Sequence, residues 1–354
     1  MITPLLPARC VNVISYALCS LLALVLTAVS AHAVPVPVNE RMFVPIGGIE
    51  QWITIKGQDR ANPVLLVLHG GPGNAWSPFA DAMFAGWDRD FTVVQWDQRG
   101  AGRTFGKSGP SVADTMSVER MVSDGIEVAG FLRTHLGKER IVLVGGSWGS
   151  VLGLQMVHAR PDLFHAIVAF APVINMRASM VAGYGKVLQM AKAAGDDAAI
   201  ASLTSIGSPP WSSLRTWPIY RKWLRAYQAK IVTAPAAPRQ VSVDYATAED
   251  EKFNEDADEF SFVHFWGMKM SGPLMQVDLA ALGPSYKVPV YLVAGAADLT
   301  APPELAKAYF DGITAPDKMF RLVEGTGHEP SVAELDVVHA LLTDVVKPRT
   351  LGRR

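Results

Sequence analysis

Short apolar runs alternate with segments of helical spacing along most of this chain. The pattern begins with a hairpin at 41–56, in which "MFVPI" and "IEQWITIK" flank Gly47-Gly48, a pair suited to the positive φ values of a two-residue loop. The runs that follow lack polar alternation, which is typical of strands buried on both faces of a parallel sheet. They are "VLLVL" (64–68), "FTVVQW" (91–96), "IVLVG" (141–145), "AIVAFA" (166–171), "VPVYLVAG" (288–295) and "MFRLVEG" (319–325).

Helical spacing separates these runs, most clearly at 117–136 and 148–160. A strand–helix–strand alternation places helices on both faces of a mostly parallel central sheet. The sequence therefore predicts an α/β fold, with its core formed by 34–172 and 284–354.

The alternation stops after Pro172 and resumes near Gly283. The segment 173–283 contains four tryptophans, the proline-rich "TAPAAP" (233–238) and the acidic "EDEKFNEDADE" (249–259). We interpret 173–283 as a largely helical insertion, "TAPAAP" as flexible, and the acidic run as a solvated face or loop.

The first 33 residues have the pattern of a secretory signal peptide. Arg9 precedes an apolar run, Val11 to Val29, and Ala31-His32-Ala33 supplies a small-residue cleavage site. The alternative is a retained anchor, since about 19 apolar residues lie near the lower limit for a spanning helix. The cleavage site and the proline-rich start of the mature chain favour removal after Ala33 and export to the periplasm or the medium.

Composition narrows the function classes. Both cysteines, Cys10 and Cys19, lie in the predicted signal peptide, so the mature chain would have no disulfide, cysteine metal site or cysteine nucleophile. Removal of Arg9 changes the formal net charge from −1 to −2, and no basic patch indicates a nucleic-acid partner. No metal or nucleotide motif is present, which favours a cofactor-free protein acting on a small molecule or short peptide. The oligomeric state cannot be predicted.

Ser147 is the candidate nucleophile. Gly145-Gly146-Ser147-Trp148-Gly149 fits G-x-S-x-G between a predicted strand and a predicted helix, the position of the nucleophile elbow in α/β-hydrolases. The pattern alone is weak. A serine hydroxyl also needs a base to take its proton, so an acid and a histidine should follow along the chain.

Asp298 and His328 meet that requirement. Asp298 follows the strand "VYLVAG", and His328 follows "FRLVEG". Catalytic groups in open α/β sheets gather at the carboxyl ends of strands, where all three residues are predicted. His328 would take the Ser147 proton and pass it to the leaving group, and Asp298 would orient the imidazole. For the other histidines beyond His69 we expect ordinary core or surface roles.

An oxyanion requires hydrogen-bond donors near the nucleophile. "LHGGPG" (68–73) ends a predicted strand, and its glycines, including Gly70, would let the backbone approach a substrate. We expect the N–H groups of Gly71 and Trp148 to form the oxyanion hole. His69 is expected to support the loop without taking a proton.

Three motifs together resemble the proline iminopeptidase (prolyl aminopeptidase) family of α/β-hydrolases. They are "HGGPG" (69–73), "DQRGAGRT" (97–104) and "GGSWGS" (145–150). The resemblance covers about 64–172 and 288–330. It implies a serine peptidase that removes N-terminal residues, often proline, from short peptides, with 173–283 as a helical cap. It also implies that Asp97 and Arg99 brace the oxyanion loop; a surface turn with a local ion pair and a direct substrate contact are the alternatives.

The cap departs from the family pattern. Proline-trimming members place glutamates there to bind the substrate amine, one of them in a "WxxWE"-like segment. Here "WPIYRKWLRAY" (217–227) has no acid, and Phe262-Val263 stand near His264 where a further glutamate is expected. Glu259, or another acid of 249–259, is the candidate replacement.

Three function classes remain open. The first is an exported serine aminopeptidase, and the second is a carboxylesterase or amidase with the same nucleophile and an apolar, tryptophan- and methionine-rich pocket. The third is a non-catalytic small-molecule binding protein, against which the Ser147, Asp298 and His328 set argues. Fold alone does not decide between them.

Overall fold

The structure is a computed structural model that describes residues 34–351. The predicted signal peptide and its cleavage site at Ala33 therefore lie outside the described residues. From residue 34 to residue 351, no helix combines the length and apolar character needed to cross a bilayer.

One eight-stranded sheet organises the described part of the chain, in the order β1-β2-β4-β3-β5-β6-β7-β8. The pairs β1–β2 and β2–β4 are antiparallel and the other neighbours are parallel. The strands are β1 (Val38–Ile46), β2 (Ile49–Gly57), β3 (Val64–Leu68), β4 (Thr92–Trp96), β5 (Ile141–Gly146), β6 (Phe164–Phe170), β7 (Val290–Gly295) and β8 (Lys318–Val323).

Helices lie between and after these strands. They are α1 (Ala80–Met83), α2 (Gly102–Ser108), α3 (Val118–Leu136), α4 (Trp148–Ala159), α5 (Met176–Ala193), α6 (Asp197–Ile206), α7 (Thr216–Ile231), α8 (Ala248–Trp266), α9 (Pro303–Gly312), α10 (Val332–Ala340) and α11 (Lys347–Leu351), with a π-helical stretch, Leu341–Val346, joining the last two. The predicted α/β fold is confirmed, and the six apolar runs form strands whose ends differ from the prediction by at most two residues.

The sequence pattern explains why these runs become central strands. Every residue of β3, β4, β5 and β7 is buried, as expected for strands covered on both faces. Full burial of each Val, Leu or Ile contributes about 1.5–3 kcal/mol. The hairpin also follows its glycines: Ile46 pairs with Ile49, and Gly47 and Gly48 have φ of 58° and 80°.

The parallel strands place four loops at one edge of the sheet. The carboxyl ends of β3, β5, β7 and β8 are followed by 69–73, Ser147, Asp298 and His328. The topology thus collects at one edge residues that are far apart in the sequence.

The segment between β6 and β7 contains the four helices α5 to α8. The acidic run within it forms the first part of α8, whose N-cap Thr247 accepts a hydrogen bond from the Asp250 N–H at 3.0 Å. Acidic residues in the first turn interact favourably with the helix dipole. Helix α8 contacts the core directly, because Ser261 Oγ donates to Gly100 O at 2.7 Å.

A buried ion pair fixes the hairpin against α3. Asp124 is fully buried, and its Oδ2 accepts hydrogen bonds from Arg99 Nε at 2.8 Å and Gln51 Nε2 at 2.9 Å. Arg99 also donates to Gly47 O at 2.7 Å, and Arg120 Nε donates to Asp124 Oδ1 at 2.8 Å. Loss of one member of such a pair leaves an uncompensated charge in the interior.

We expect Asp124→Asn to lower the free energy of unfolding by about 3–5 kcal/mol, because Arg99 would lose its buried counter-charge. Urea unfolding followed by circular dichroism measures this change. The matched control is Asp162→Asn, which breaks the exposed Arg160–Asp162 pair and should leave the unfolding midpoint unchanged. Equal midpoints for both variants would contradict the structural role of Asp124.

Candidate active site

Ser147 lies at a sharp turn between β5 and α4. Its φ is 52°, which is rare for a residue with a side chain and typically costs about 1–3 kcal/mol. The flanking glycines make the turn possible: a Cβ on Gly145 would lie 2.3 Å from Gly149 O, and a Cβ on Gly149 would lie 2.0 Å from Leu68 O. The G-x-S-x-G spacing therefore has a steric cause in this chain.

The structure brings Ser147, His328 and Asp298 into one hydrogen-bonded chain. The distance from Ser147 Oγ to His328 Nε2 is 2.8 Å, and that from His328 Nδ1 to Asp298 Oδ2 is also 2.8 Å. The Asp298 side chain is only 1% exposed, and the His328 side chain is 15% exposed. The chain thus runs from a buried carboxylate to a partly exposed hydroxyl.

Burial and Asp298 act in opposite directions on the proton affinity of the imidazole. Burial alone would lower the pKa of His328, but the charge and hydrogen bond of Asp298, with smaller contributions from Glu329 and Glu334, raise it to about 9. Asp298 is itself held by the main chain, since its Oδ1 accepts hydrogen bonds from the N–H groups of Thr300 at 2.7 Å and Ala301 at 2.8 Å.

Residues from the inserted segment hold the loops that carry Asp298 and His328. Gln228 of α7 accepts a hydrogen bond from the Leu299 N–H at 3.0 Å, and its amide nitrogen lies 2.8 Å from the position that a Cβ on Gly327 would take. Sequence reasoning missed Gln228 because one polar residue in a helix gives no signal.

The stretch 233–238 is bound to the His328 loop, so its interpretation as flexible is wrong. Its main chain forms four hydrogen bonds with 325–332, and these restrain the proline-rich segment that we expected to be flexible. They join Thr233 N and Ala234 N to Gly325 O, Ala237 N to Pro330 O, and Val332 N to Pro235 O.

Gln98 links the glycine-rich loop to the elbow. Its N–H donates to His69 Nε2 at 3.2 Å, its side-chain nitrogen donates to His69 O at 3.2 Å, and its side-chain oxygen accepts from Trp148 Nε1 at 2.9 Å. His69 Nδ1 in turn donates to Gly70 O at 2.8 Å. Gln98 was also missed, although it lies within the quoted "DQRGAGRT".

His69 is buried, and both of its ring nitrogens are hydrogen-bonded to the main chain. It is 2% exposed, and burial lowers its pKa to about 4, so the ring is neutral at ordinary pH.

Gly70 lies against Ser147, since a Cβ there would be 3.6 Å from Ser147 Cβ. Gly71 has φ of 113°. Trp148 is the first residue of α4, so its N–H has no acceptor within the helix.

Asp97 and Arg99 are both 1% exposed, so the alternative of a surface turn is wrong. Asp97 accepts from Ser77 Oγ at 2.5 Å and from the Arg103 N–H at 2.9 Å, and burial raises its pKa to about 6. The Arg99 guanidinium donates hydrogen bonds to Asp124, Gly47 and Thr115. Arg99 therefore braces the hairpin, and its guanidinium is not part of the hydrogen-bonded chain at Ser147.

The structure does not bring Glu259 to the site. Ala257 and Ser261 of α8 pack against Gly73, and a residue two positions from Ala257 lies on the far side of a helix with 3.6 residues per turn. Glu259 is accordingly exposed. Its neighbour Asp258 is exposed as well, but it interacts with the side chains of Asn74 and Arg221, and desolvation of its carboxyl raises its pKa.

The five remaining histidines we expected to have ordinary roles lie apart from this chain of hydrogen bonds. His135 pairs with Glu40, His158 and His339 pack against aromatic rings, His264 binds Phe260 O, and His165 lies in β6. Across 34–351, no group of three or more His, Cys, Asp or Glu side chains is arranged to hold a metal ion.

Comparison with known proteins agrees with this architecture. The family described as alpha/beta hydrolase fold matches residues 63–334. The "Probable aminopeptidase YbaC" of Bacillus subtilis (strain 168) is 29% identical over 291 residues, which cover 82% of this chain and 90% of that protein. The "Proline iminopeptidase" of Clostridioides difficile (strain 630) is 24% identical over 311 residues, which cover 85% and 96%.

A solved structure shows the same fold. The crystal structure of the proline iminopeptidase from Mycobacterium smegmatis matches with a TM-score of 0.61 and 23% identity, covering 88% of this chain and 99% of that chain. The resemblance found in the sequence is confirmed, and so is its implication of a hydrolase. The chain belongs to the alpha/beta hydrolase fold family.

Proposed function

We propose that the protein is a serine hydrolase in which Ser147 is the nucleophile, His328 the general base and Asp298 the orienting acid. The observation that carries this proposal is the pair of 2.8 Å hydrogen bonds that join the three side chains at the strained elbow. A nucleophile, a base within hydrogen-bonding reach and a third group that orients the base are the geometric requirements of this chemistry.

The geometry supports a two-step acyl transfer. His328 Nε2 takes the Ser147 proton while Oγ attacks the substrate carbonyl carbon, and the carbonyl oxygen becomes an oxyanion. The N–H groups of Gly71 and Trp148 would donate to that oxyanion, a type of contact worth about 3 kcal/mol per donor. The imidazolium then protonates the leaving group, and water, activated by the same histidine, releases the acyl group and regenerates Ser147.

We further propose that the substrates are short peptides from which an N-terminal residue, in particular proline, is removed. The names of the two relatives support this, since one is a probable aminopeptidase and the other a proline iminopeptidase. Asp258 is our candidate for binding the substrate's free amine, because it lies beside Asn74, directly after the glycine-rich loop. A protonated amine would join Arg221 as a second cation at this carboxylate.

A carboxylesterase or amidase is the second candidate. The observation that favours it is the aromatic packing within the inserted segment, where the rings of Trp217 and Trp266 lie 4.1 Å apart and Trp217 also contacts Tyr220. An apolar cap suits an apolar acyl group as well as a proline ring, and both reactions pass through the same oxyanion.

Ser147→Ala should abolish stoichiometric labelling by a fluorophosphonate and lower turnover by about 10⁴-fold or more, because no other group can form the acyl-enzyme. Intact-mass spectrometry measures the labelling, and circular dichroism checks that the fold is retained. Ser205→Ala, at an exposed serine, is the matched control and should label normally. A folded wild-type protein that takes no label would favour the non-catalytic binding protein.

Asp258→Asn should raise KM for free-amine substrates such as prolyl and alanyl arylamides by about tenfold, since a charge-assisted hydrogen bond contributes about 1.5–3 kcal/mol. Amine-blocked substrates and acyl esters should be unaffected. Glu259→Gln provides the matched control one residue along the same helix and should change neither. Equal rates for free and blocked amines in the wild-type protein would instead assign the esterase or amidase.

We also propose that the protein is exported to the periplasm or the medium, on the basis of the signal-peptide pattern around Arg9 and the apolar run. N-terminal sequencing of the protein recovered from its native cells should begin at Val34 or within a few residues of it. A chain that still begins at Met1 would contradict cleavage and favour the retained anchor.

A further inference from the structure

Glu334 is a buried carboxyl without a partner. It lies in the first turn of α10 and is 0% exposed, and neither side-chain oxygen has a hydrogen-bonding partner within the described residues. Carboxyl groups are almost never fully buried unless they are paired, and an unpaired buried charge is very costly. The position of Glu334 therefore needs an explanation beyond packing.

Helix capping does not explain it. Ser331 caps α10, because its Oγ accepts a hydrogen bond from the Glu334 N–H at 3.2 Å. In a capping box the glutamate side chain would return the contact by accepting from the Ser331 N–H, yet here the carboxyl makes no such bond. The Ala171 N–H, at the end of β6, favours the charged carboxylate, but its well-formed hydrogen bond goes to Val293 O at 3.0 Å.

The carboxyl lies within electrostatic range of two members of the hydrogen-bonded chain. Asp298, from the loop after β7, and His328, from the loop after β8, are the charged groups that act on it. Burial and the like charge of Asp298 raise the pKa of Glu334 to about 8, against the opposing effects of His328 and the Ala171 amide. The carboxyl is therefore protonated at neutral pH.

The other charged or titratable groups around this pair are few. Glu329 follows His328 and forms an ion pair with Arg239 at 2.8 Å, where both side chains are exposed. Arg221 acts on Glu329, and the phenol of Tyr220 lies within electrostatic range of Asp298. Glu334 differs from all of these because it is buried, uncompensated and able to change its charge.

We propose that Glu334 is a positioning residue that stores a proton behind the Ser147–His328–Asp298 chain, and that the charge on its carboxyl adjusts how tightly His328 holds its own proton. Two groups that interact strongly lose their protons in steps that belong to the pair. Near neutral pH, Glu334 is uncharged, so Asp298 supplies the main negative charge that stabilises the imidazolium. At higher pH, ionised Glu334 adds a second negative charge and makes the imidazole harder to deprotonate.

This inference rests on the proposed function only for its effect on catalysis, and an NMR titration tests it independently of any substrate. The C–H resonances of the His328 imidazole are followed from pH 6 to pH 11 in the wild-type protein and in Glu334→Gln and Glu334→Met. A salt concentration of about 0.5 M screens the exposed Glu329 and leaves the buried carboxyl largely unscreened. Glu329→Gln, which removes an acid next to His328 in the sequence, is the matched control.

We expect the wild-type imidazole to titrate over a broad range. In Glu334→Gln and Glu334→Met it should titrate as a single group, with a midpoint lower by about 0.5–1 pH unit, a shift typical of one nearby charge. Below pH 7 the curves should coincide, because Glu334 is then protonated. Glu329→Gln should leave the broad wild-type curve in place. Curves that coincide at all pH values, or variants that lose stability without a change in midpoint, would overturn the proposal.

The pH dependence of fluorophosphonate labelling supplies the catalytic readout. Attack by Ser147 requires a neutral imidazole, so the labelling rate of the Glu334 variants should reach its plateau about 0.5–1 pH unit below that of the wild type. A wild-type protein that takes no label contradicts the proposed hydrolase while the NMR titration still decides the role of Glu334. Labelling profiles that coincide in all proteins would overturn the catalytic effect of this residue.

Discussion

The rest of the site depends on how closely α4 approaches β3. The two elements meet at Gly149, where even one extra carbon would lie 2.0 Å from Leu68 O. This approach forces the turn at Ser147 into a φ of 52° and brings the first N–H groups of α4 beside the glycine-rich loop that follows β3. One steric constraint therefore sets the positions of both Ser147 and the predicted oxyanion donors. Gln98 stabilises this arrangement because it is hydrogen-bonded to both His69 and Trp148.

The positions of His328 and Asp298 depend on the inserted segment as much as on the sheet. The loop of His328 pairs with 233–237 through main-chain hydrogen bonds, and Gln228 accepts from the loop of Asp298. The segment is in turn attached to the core at Gly100 by Ser261 and at Arg103 by Asp250. A change of packing in the insertion therefore reaches the imidazole without touching Ser147.

Periodicity predicted the sheet because the central strands are buried on both faces, so every residue of β3, β5 and β7 carries the apolar signal. Order along the chain predicted which residues meet, since parallel strands place Ser147, Asp298 and His328 at one edge. Contacts between residues that are far apart in the sequence leave neither a periodic pattern nor a fixed order along the chain. For that reason the positions of Gln228 and Glu334 near this site were not predicted. A surface turn stayed open as an alternative for Arg99 because a charged residue in a glycine-rich turn resembles a surface residue, although Asp124 compensates it in the interior.

Three acids illustrate how environment assigns different properties to the same functional group. Asp298 accepts hydrogen bonds from two amides and the imidazole. Glu334 lies as deep, but neither of its oxygens has a well-formed hydrogen bond within 34–351, and burial raises its pKa to about 8. Asp258 lies at the outside, with a cation and an amide beside it. A second permanent carboxylate beside His328 would raise the proton affinity of its imidazole further. In the proposed reaction, one bound carboxylate and one protonated carboxyl would stabilise the charge that forms on His328 and still allow that charge to be lost.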